Sequence, residues 1–221
     1  MNNLTGQQET RKILVDCGAL IDDDHFVYSC GNHGSGWIAK DLVNLDPRRP
    51  RRLGQLLANV CADLLPRPEL VCGPAIGGLI CAEVTALAME LPFVFAERVW
   101  HGDKQTFELH RGFDSVVKDK EVLVVDDVIN TGFSIDLSID AVRQAGGKVT
   151  SAAAWINRGN VYAKELGVET FVFLDEVKLP SWAADGCPLC QSSVPVNTNY
   201  AHGAEFVASQ AQKKVCQAPR H

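Results

Sequence analysis

What this sequence lacks already excludes several kinds of protein. No apolar run approaches the roughly 20 residues that span a bilayer, and the residues after Met1 contain no apolar signal-peptide core. The 27 acidic residues outnumber the 21 basic ones, and the net charge of −6 argues against a general nucleic-acid binder. Internal repeats and low-complexity tracts are absent as well. These absences predict a cytoplasmic globular protein that binds neither membranes nor nucleic acid.

The eight cysteines do not have the spacing of a secreted disulfide framework. Three of them, Cys61, Cys72 and Cys81, lie in apolar segments, where a reduced thiol serves as a small buried hydrophobic group. This pattern agrees with a cytoplasmic location.

One cysteine pair has the spacing of a metal knuckle. Cys187 and Cys190 form a Cys-Pro-Leu-Cys sequence that suits Zn²⁺, an ion that needs four ligands. Other residues are candidates for the remaining ligands: Cys30, His202 and Cys216. A redox dithiol and two plain reduced thiols are the alternatives. The sequence leaves these three interpretations open.

The chain is organised around an apolar stretch that ends in two carboxylates. Val122 to Val125 form a run typical of a parallel strand buried on both faces. Asp126 and Asp127 follow, and a loop over residues 130–134 leads into a helical pattern. The N–H groups of a helix start and Thr or Ser hydroxyls donate to phosphate oxygens, while carboxylates bind ribose hydroxyls or hydrated Mg²⁺. The stretch therefore predicts a phosphate site.

Two other interpretations of this stretch are weaker. It is not a P-loop, because Gly-Lys-Ser/Thr is missing and the acids are expected in the turn itself. A surface turn with Asp126 or Asp127 as a helix N-cap is the second alternative, but two adjacent acids exceed what a cap needs.

The stretch resembles the binding motif for phosphoribosyl pyrophosphate (PRPP) in type I phosphoribosyltransferases. Val-Leu-Val-Val-Asp-Asp-Val-Ile-Asn-Thr-Gly matches that motif position by position. The resemblance assigns the ribose hydroxyls to the two acids and the 5′-phosphate to the loop that follows. The PRPP-binding residues implied here are Asp126, Asp127, Val128, Ile129, Asn130, Thr131, Gly132, Phe133 and Ser134.

The resemblance also implies the fold. It is an α/β, Rossmann-like arrangement with a central parallel sheet flanked by helices and a small hood subdomain. Strands that alternate with helices along the chain favour the same class independently. Residues 1–180 are expected to form the phosphoribosyltransferase domain with its N-terminal hood. The composition changes after Asp175, so residues 181–221 are expected as a C-terminal extension packed on the same domain.

A glycine-rich loop earlier in the chain is similar to the family's pyrophosphate loop. Leu70 to Cys72 predict a short strand, and a helix is predicted from Leu79. Glycines let a backbone approach an anion closely, although they also serve tight packing between strand and helix. The position before the PRPP-like motif favours the binding role. The resemblance assigns pyrophosphate to Gly73, Pro74, Ala75, Ile76, Gly77 and Gly78.

The polar segment between Ala96 and Phe113 has no clear period and predicts a long irregular loop, a frequent form of catalytic lid. In orotate phosphoribosyltransferases the matching segment is the mobile catalytic loop. Arg98 matches its first arginine, Val99 stands where the family has lysine, and Lys104 is expected to close over the leaving pyrophosphate. The catalytic residues implied by the resemblance are Arg98, Lys104, Asp126 and Asp127.

Two positions resemble the base site of the orotate enzymes. Arg158 follows a strand predicted over residues 149–156 and resembles the arginine that contacts the carboxylate of the base. A loop arginine with surface partners is the alternative. Phe26 lies in a segment similar to the family's N-terminal strand, and is assigned to the base as well. His25 and His33 are either further base contacts or solvated loop residues.

The resemblance implies a Mg²⁺-dependent pentosyltransferase (a glycosyltransferase) of pyrimidine nucleotide biosynthesis. It transfers the ribose 5-phosphate group of PRPP to orotate or a related nucleobase-like acceptor and releases pyrophosphate. Mg²⁺ is expected to be held through bound PRPP beside Asp126 and Asp127. The catalytic loop commonly serves the neighbouring subunit in this family, which implies a homodimer. A catalytically weak PRPP-binding regulatory protein is the alternative.

Overall fold

The computed structural model of the protein describes residues 5–209, which form two compact units. Unit 1 contains the residues up to Ile13 and Val43–Val177, and unit 2 contains Leu14–Leu42 and the residues from Lys178 onward. The C-terminal residues therefore group with residues 14–42, which differs from the boundary after residue 180 expected from composition. Among the described residues, no helix combines the length and the apolar character needed to cross a membrane.

The secondary structure alternates between strands and helices through most of unit 1. In chain order the elements are α1 (Gly6–Asp16), β1 (Leu20–Ile21), β2 (Phe26–Val27), β3 (His33–Gly34), β4 (Trp37–Ile38), α2 (Arg48–Val60), β5 (Leu70–Pro74), α3 (Gly77–Met89), β6 (Phe93–His101), β7 (Lys104–Glu108), α4 (Phe113–Val117), β8 (Val122–Ile129), α5 (Phe133–Gln144), β9 (Ser151–Asn157), β10 (Thr170–Glu176), β11 (Ser181–Trp182) and α6 (Pro188–Gln191). Short 3-10 helices cover Lys40–Leu45 and Ala184–Gly186. A further helical segment covers residues 203–209. The terminal helix predicted for residues 204–215 lies partly outside the described residues.

Unit 1 is built on a six-stranded sheet in the order β10-β9-β8-β5-β6-β7. The first five strands of that order are parallel, and β7 runs antiparallel to β6. The predicted parallel sheet is therefore confirmed apart from one edge strand. β6 and β7 form a hairpin, so the prediction of an irregular loop between Ala96 and Phe113 is wrong.

The core of unit 1 forms where apolar strands meet apolar helix faces. Val122 to Val125 are at most 1% exposed, as predicted for a strand buried on both faces. Helices α3 and α5 both pack on β5 and β8. The predicted apolar face of α5 is confirmed by three residues without exposed surface: Ile135, Ile139 and Val142. Burial of these faces stabilises the sheet whose edge carries the loops described below.

Unit 2 contains two small antiparallel sheets made of two-residue strands. One pairs β1 with β4, and the other has the order β11-β3-β2, with Val27 and Trp182 on either side of His33. The strand predicted over residues 25–31 is thus shorter than expected. Strands this short provide few ladder hydrogen bonds, so other interactions must hold this unit together.

Candidate active site

The carboxyl ends of β5 and β8 meet at the centre of the sheet of unit 1. These strands are parallel neighbours, with Cys72 opposite Val124. The chain continues from β5 to β6 on one side and from β8 to β9 on the other, so the strand order reverses between β5 and β8. In open α/β sheets a ligand-binding crevice forms at such a reversal. The predicted pyrophosphate loop begins in the last two residues of β5, and the paired acids lie in the second half of β8.

Asp126 and Asp127 lie within strand β8 rather than in the turn expected from the sequence. Both are buried, with exposures of 5% and 4%. Asp126 Oδ1 accepts a hydrogen bond of 2.8 Å from the N–H of Asp127, and Asp127 Oδ1 accepts one of 2.6 Å from the N–H of Val128. These bonds fix the direction of each carboxylate. The N-cap of α5 is Gly132, so the alternative that either acid caps this helix is wrong.

A buried thiol on helix α3 lies next to these acids. Cys81 is buried, and its Sγ donates to the main-chain oxygen of Asp126 at 3.3 Å. Burial, together with the negative charges of Asp127 and Asp126, raises the pKa of Cys81 well above its ordinary value. Both carboxylates therefore lie close to α3 in a region of low polarity, where a bound hydroxyl or cation interacts strongly.

Two glycines bring the pyrophosphate loop against the acids. A Cβ on Gly78 would lie 2.7 Å from Asp126 Oδ1 and 2.7 Å from Pro74 Cδ. A Cβ on Gly73 would lie 2.6 Å from the carbonyl oxygen of Gly78. Side chains do not fit at these separations, so both positions require glycine. The loop backbone consequently packs directly against Asp126.

Arg98 shares a cleft with the glycine loop. The N–H of Ala75 donates to the carbonyl of Ala96 at 2.8 Å and holds the loop against β6. Arg98 is exposed, with its guanidinium carbon 5.9 Å from the centre of the Phe107 ring. A guanidinium beside a glycine loop suits a bound pyrophosphate. The cleft has a volume of about 500 Å³ and is lined by Ala75, Ile76, Gly77, Glu97 and Arg98.

The carboxylate of Glu97 in this cleft has its own cationic partner. Arg111 Nη2 lies 3.0 Å from Glu97 Oε1. The hydrogen bond and the charge of Arg111 hold the pKa of Glu97 below its ordinary value. Because Arg111 offsets the charge of Glu97, this carboxylate repels an anion in the cleft less strongly.

The loop over residues 130–134 enters helix α5 through Gly132, whose φ of +80° favours glycine. Thr131 Oγ1 accepts a hydrogen bond of 3.4 Å from the N–H of Phe133, and Thr131 is exposed. The first N–H groups of an α-helix have no partners within the helix and point outward. The start of this 12-residue helix therefore suits a phosphate group.

Strand β9 brings Arg158 to the same loop. Its main-chain N–H donates to the carbonyl of Ile129 at 2.8 Å, and its Nη1 donates to Asn130 Oδ1 at 3.1 Å. A Cβ on Gly159 would lie 1.4 Å from the carbonyl oxygen of Asn130, so the backbones are in direct contact. Arg158 therefore borders the predicted phosphate loop.

Two predicted site residues have other surroundings. Lys104 is exposed at the start of β7, opposite His101 and next to the turn of the β6–β7 hairpin. Phe26 belongs to unit 2, where it has no exposed surface and its ring centre lies 6.2 Å from that of Trp37. The ring of Phe26 is thus part of a core, and this burial does not fit a direct base contact.

The sequence did not predict a cluster of four side chains in unit 2. His25, His33, Cys187 and Cys190 present ligand atoms that all lie within 4.8 Å of one another. The two histidines are 1% exposed, so the expectation that they are solvated is wrong, and such burial does not fit a direct base contact. Of the other candidate ligands, Cys30 and His202 are not in this cluster, and Cys216 lies outside the described residues. The only sequence signal was the Cys-Pro-Leu-Cys pair.

Comparison with known proteins agrees with this geometry. Residues 47–189 match the family model of the phosphoribosyl transferase domain. The orotate phosphoribosyltransferase of Sulfurimonas denitrificans is 32% identical over 193 residues, which cover 82% of this chain and 93% of the relative. That of Sphingopyxis alaskensis is 36% identical over 165 residues, which cover 74% of this chain and 81% of the relative.

Solved structures show the same fold. The crystal structure of orotate phosphoribosyltransferase from Aeropyrum pernix is similar with a TM-score of 0.64 and 29% identity, covering 75% of this chain and 92% of that chain. Adenine phosphoribosyltransferase from Thermoanaerobacter pseudethanolicus has a TM-score of 0.54 at 20% identity, covering 64% and 88%. From the domain match, the sequence identity and the shared fold, we conclude that the chain belongs to the type I phosphoribosyltransferase family.

Proposed function

We propose that the protein is an orotate phosphoribosyltransferase, which transfers the ribose 5-phosphate group of PRPP to orotate and releases pyrophosphate. The observation that carries the proposal is the meeting of a glycine loop, two buried carboxylates and a helix start suited to phosphate at one strand-order reversal. Similarity to relatives named orotate phosphoribosyltransferase supports orotate as the acceptor. The alternative of a PRPP-binding regulator is not favoured by these relatives.

PRPP is held at three points in this proposal. The 5′-phosphate accepts hydrogen bonds from the N–H groups and hydroxyls of the loop over residues 130–134. The ribose hydroxyls donate to Asp126 and Asp127, whose carboxylates are oriented by the N–H groups that follow them. The pyrophosphate lies along Gly73–Gly78 and interacts with Arg98, which lines the cleft at this loop. With PRPP held at these three points, its anomeric carbon is oriented for attack by the acceptor base.

The paired acids also fit Mg²⁺. This ion prefers oxygen ligands and is bound in phosphate-transfer sites by one or two carboxylates together with substrate phosphates and water. Asp126 and Asp127 supply adjacent carboxylates, and the packing of Gly78 on Asp126 places the pyrophosphate loop beside them. Bound Mg²⁺ would offset part of the charge of the pyrophosphate. Asp126 and Asp127 would hold it together with PRPP.

Catalysis in this proposal depends on stabilising the leaving group. Pyrophosphate departs from the anomeric carbon through an oxocarbenium-like transition state, and negative charge grows on its oxygens. The N–H groups of the glycine loop and the guanidinium of Arg98 are placed to bind that charge. Pairing of Glu97 with Arg111 weakens the repulsion between Glu97 and an anion in the same cleft. Water has to be excluded as well, because PRPP would otherwise be hydrolysed.

Arg158 is the proposed partner of the acceptor base. Orotate carries a carboxylate, and a guanidinium binds a carboxylate through paired hydrogen bonds. Arg158 is partly buried at the carboxyl edge of the sheet, beside the proposed phosphate loop through its hydrogen bond with Asn130.

The β6–β7 hairpin is the proposed mobile element. Lys104 lies beside its turn and would bring a cation to the leaving pyrophosphate if the hairpin moved. We also propose a homodimer in which this hairpin serves the partner's site. Mixing a Lys104→Ala chain with an Asp127→Asn chain tests this arrangement: restored activity supports sharing of the site, and no restoration contradicts it. The cytoplasmic location stays a prediction.

The function is tested by pyrophosphate release from PRPP in the presence of orotate and Mg²⁺. We expect release that depends on orotate. Asp126→Asn and Asp127→Asn should each lower the rate by about 10²-fold or more, because each removes a charged contact in a buried site. Asp140→Asn, an exposed carboxylate on α5, is the matched control and should keep the wild-type rate.

Three outcomes contradict parts of the proposal. Turnover with another base but none with orotate would replace the acceptor. PRPP binding by calorimetry without turnover on any base would replace the enzyme with a regulator. Full activity in both Asp126→Asn and Asp127→Asn would remove the paired acids from the site.

A further inference from the structure

Four side chains of unit 2 that have no part in the proposed transferase site converge on one point: His25, His33, Cys187 and Cys190. Each presents one ligand atom, and three of the four residues are buried. Histidine nitrogens and cysteine sulfurs are the preferred ligands of zinc in proteins. We propose that these two histidines and two cysteines form a structural site for one Zn²⁺.

Four of the six separations between these ligand atoms lie within about 0.4 Å of those in a regular tetrahedral zinc centre. Zn–N bonds of about 2.05 Å and Zn–S bonds of about 2.3 Å place N and S about 3.5 Å apart, and two N about 3.3 Å apart, in a regular tetrahedron. His25 Nε2 lies 3.6 Å from Cys187 Sγ and 3.7 Å from Cys190 Sγ. His33 Nδ1 lies 3.3 Å from Cys190 Sγ and 2.9 Å from His25 Nε2. Movements of a few tenths of an ångström would bring these four separations to the tetrahedral values, and the other two are at most 4.8 Å.

The protonation of His25 suits a ligand. Its Nδ1 lies 2.8 Å from the carbonyl oxygen of Val194. A carbonyl only accepts hydrogen bonds, so Nδ1 carries the proton and the neutral ring presents the lone pair of Nε2 to the cluster. A backbone carbonyl that orients a histidine in this way is a usual partner of metal-bound imidazole.

The cysteine pair suits a ligand role as well. The N–H of Cys190 donates to Cys187 Sγ at 3.5 Å, the contact expected in a Cys-x-x-Cys knuckle whose sulfur carries negative charge. Two thiolates and two neutral imidazoles give a site with Zn²⁺ no net charge. Charge balance matters here because Cys187 and both histidines are buried, and an unbalanced buried charge is costly.

Hydrogen bonding alone explains this cluster less well. The two imidazoles can share only one proton between His25 Nε2 and His33 Nδ1. His33 Nε2 is buried without a hydrogen-bond partner among the described residues, and its ring is held by edge-on packing against Phe206, 5.1 Å between centres. Thiols are weak donors and acceptors, so they compensate little for the buried imidazoles. A shared cation binds all four groups at once.

The site would connect two distant segments of the chain. Cys190 and His33 are 157 positions apart, and the strands of unit 2 are two residues long. Small units with few ladder hydrogen bonds are commonly stabilised by a metal. All four tetrahedral positions are filled by protein, which leaves no open position for a substrate and makes the site structural rather than catalytic.

The test measures zinc in the untagged, full-length protein purified without chelators. We expect about one zinc atom per chain by elemental mass spectrometry. Cys187→Ser and His33→Ala should each lose most of this zinc. Cys30→Ser and His202→Ala are matched controls, because both residues belong to unit 2 but not to the cluster, and they should retain it. Zinc below a tenth of an atom per wild-type chain, also after incubation with ZnCl₂ and desalting, would overturn the proposal.

Cobalt substitution keeps the test valid where a ligand variant does not fold. The wild-type protein is freed of metal by a chelator and titrated with Co²⁺. Saturation at one equivalent with the intense visible bands of a tetrahedral site, and a thiolate-to-cobalt band in the near ultraviolet, supports the proposal. Octahedral-type weak absorption would overturn it. A Cys187–Cys190 disulfide in protein that was alkylated under denaturing conditions without reductant would overturn it as well.

Discussion

At the scale of residues, single glycines control how closely the backbone of the glycine loop approaches Asp126. Gly78→Ala would place a methyl group 2.7 Å from Asp126 Oδ1. The overlap must be relieved by movements that typically cost about 1–3 kcal/mol. We expect the dissociation constant of PRPP, measured by calorimetry with Mg²⁺, to rise about tenfold or more. Gly6→Ala is the control, because its nearest neighbour, Leu56 Cδ2, is 3.9 Å away; equal affinities of the two variants would refute the prediction.

Burial separates the cysteines by reactivity. Burial raises the pKa of Cys61 and Cys72 to about 12, whereas Cys30 is exposed. The thiolate is the reactive form, and at pH 8 only about one molecule in 10⁴ would carry it at a thiol with this pKa. A brief pulse of iodoacetamide should therefore label Cys30 and leave the two buried thiols unlabelled until denaturant is added. Peptide mass mapping reads the result, and native labelling of Cys72 at the rate of Cys30 would contradict it.

Residue-level features differ in how well the sequence predicts them. The paired acids and the glycine loop are local patterns, and their neighbours in sequence are sufficient to predict a phosphate site. The partners of Cys187 and Cys190 are different, because His25 and His33 are more than 150 positions away and carry no motif of their own. Only tertiary structure brings these four side chains together.

At the scale of elements, helix α1 is attached to β10 by a buried carboxylate. Asp175 is 1% exposed and accepts hydrogen bonds from Arg11 Nη2 at 3.0 Å and Gln7 Nε2 at 2.9 Å. Arg11→Ala removes the charged donor and leaves Gln7. We expect the free energy of unfolding in urea to fall by about 1–2 kcal/mol, as for a buried acceptor that loses one partner.

A second arginine paired with α1 provides the control. Arg52 lies 2.7 Å from Glu9, and both side chains are partly exposed. Exposed ion pairs contribute about 0–1 kcal/mol, so Arg52→Ala should change stability by less than Arg11→Ala. The assignment of α1 docking to Asp175 fails if Arg52→Ala destabilises the protein more.

The β6–β7 hairpin and strand β8 differ from what their local sequence patterns predict. The β6–β7 hairpin is at the sheet edge, where many of its residues are partly exposed. Beyond Ala96 its residues therefore have neither a continuous apolar run nor a strict alternation. Strand β8 extends beyond its apolar run because Val128 and Ile129 pair with β9, and this pairing outweighs the low strand preference of Asp126 and Asp127. Each case depends on a neighbouring strand that the local sequence does not reveal.

At the scale of the whole molecule, substrate binding should stabilise the folded state. A ligand that binds only the folded protein adds about 2.7 kcal/mol at a concentration of 100 times its dissociation constant. We expect the melting temperature to rise by several degrees with saturating PRPP and Mg²⁺. The rise should be smaller for Gly78→Ala at the same concentration and unchanged for Gly6→Ala. Equal rises in all three proteins would place PRPP away from the glycine loop.

The fold of the whole chain was predictable to different degrees in the two units. In unit 1 long apolar strands alternate with helices, and the α/β class follows from that order. In unit 2 the strands are two residues long, and its segments come from both ends of the described chain. Composition therefore placed a boundary after residue 180, although the structure groups the residues from Lys178 onward with Leu14–Leu42.

This divided unit has a consequence for synthesis on the ribosome. Gly34 of β3 pairs with Ser181 of β11. The ribosome therefore synthesises β3 long before it synthesises the partner strand β11. The last strand of the six-stranded sheet, β10, is complete once Glu176 has been added. At that point β11, the partner of β3, has not yet been synthesised. A message that stops after Val177 would therefore encode every strand of the six-stranded sheet and an N-terminal hairpin with an unpaired edge. Residues from Lys178 onward therefore complete the unit that residues 14–42 begin.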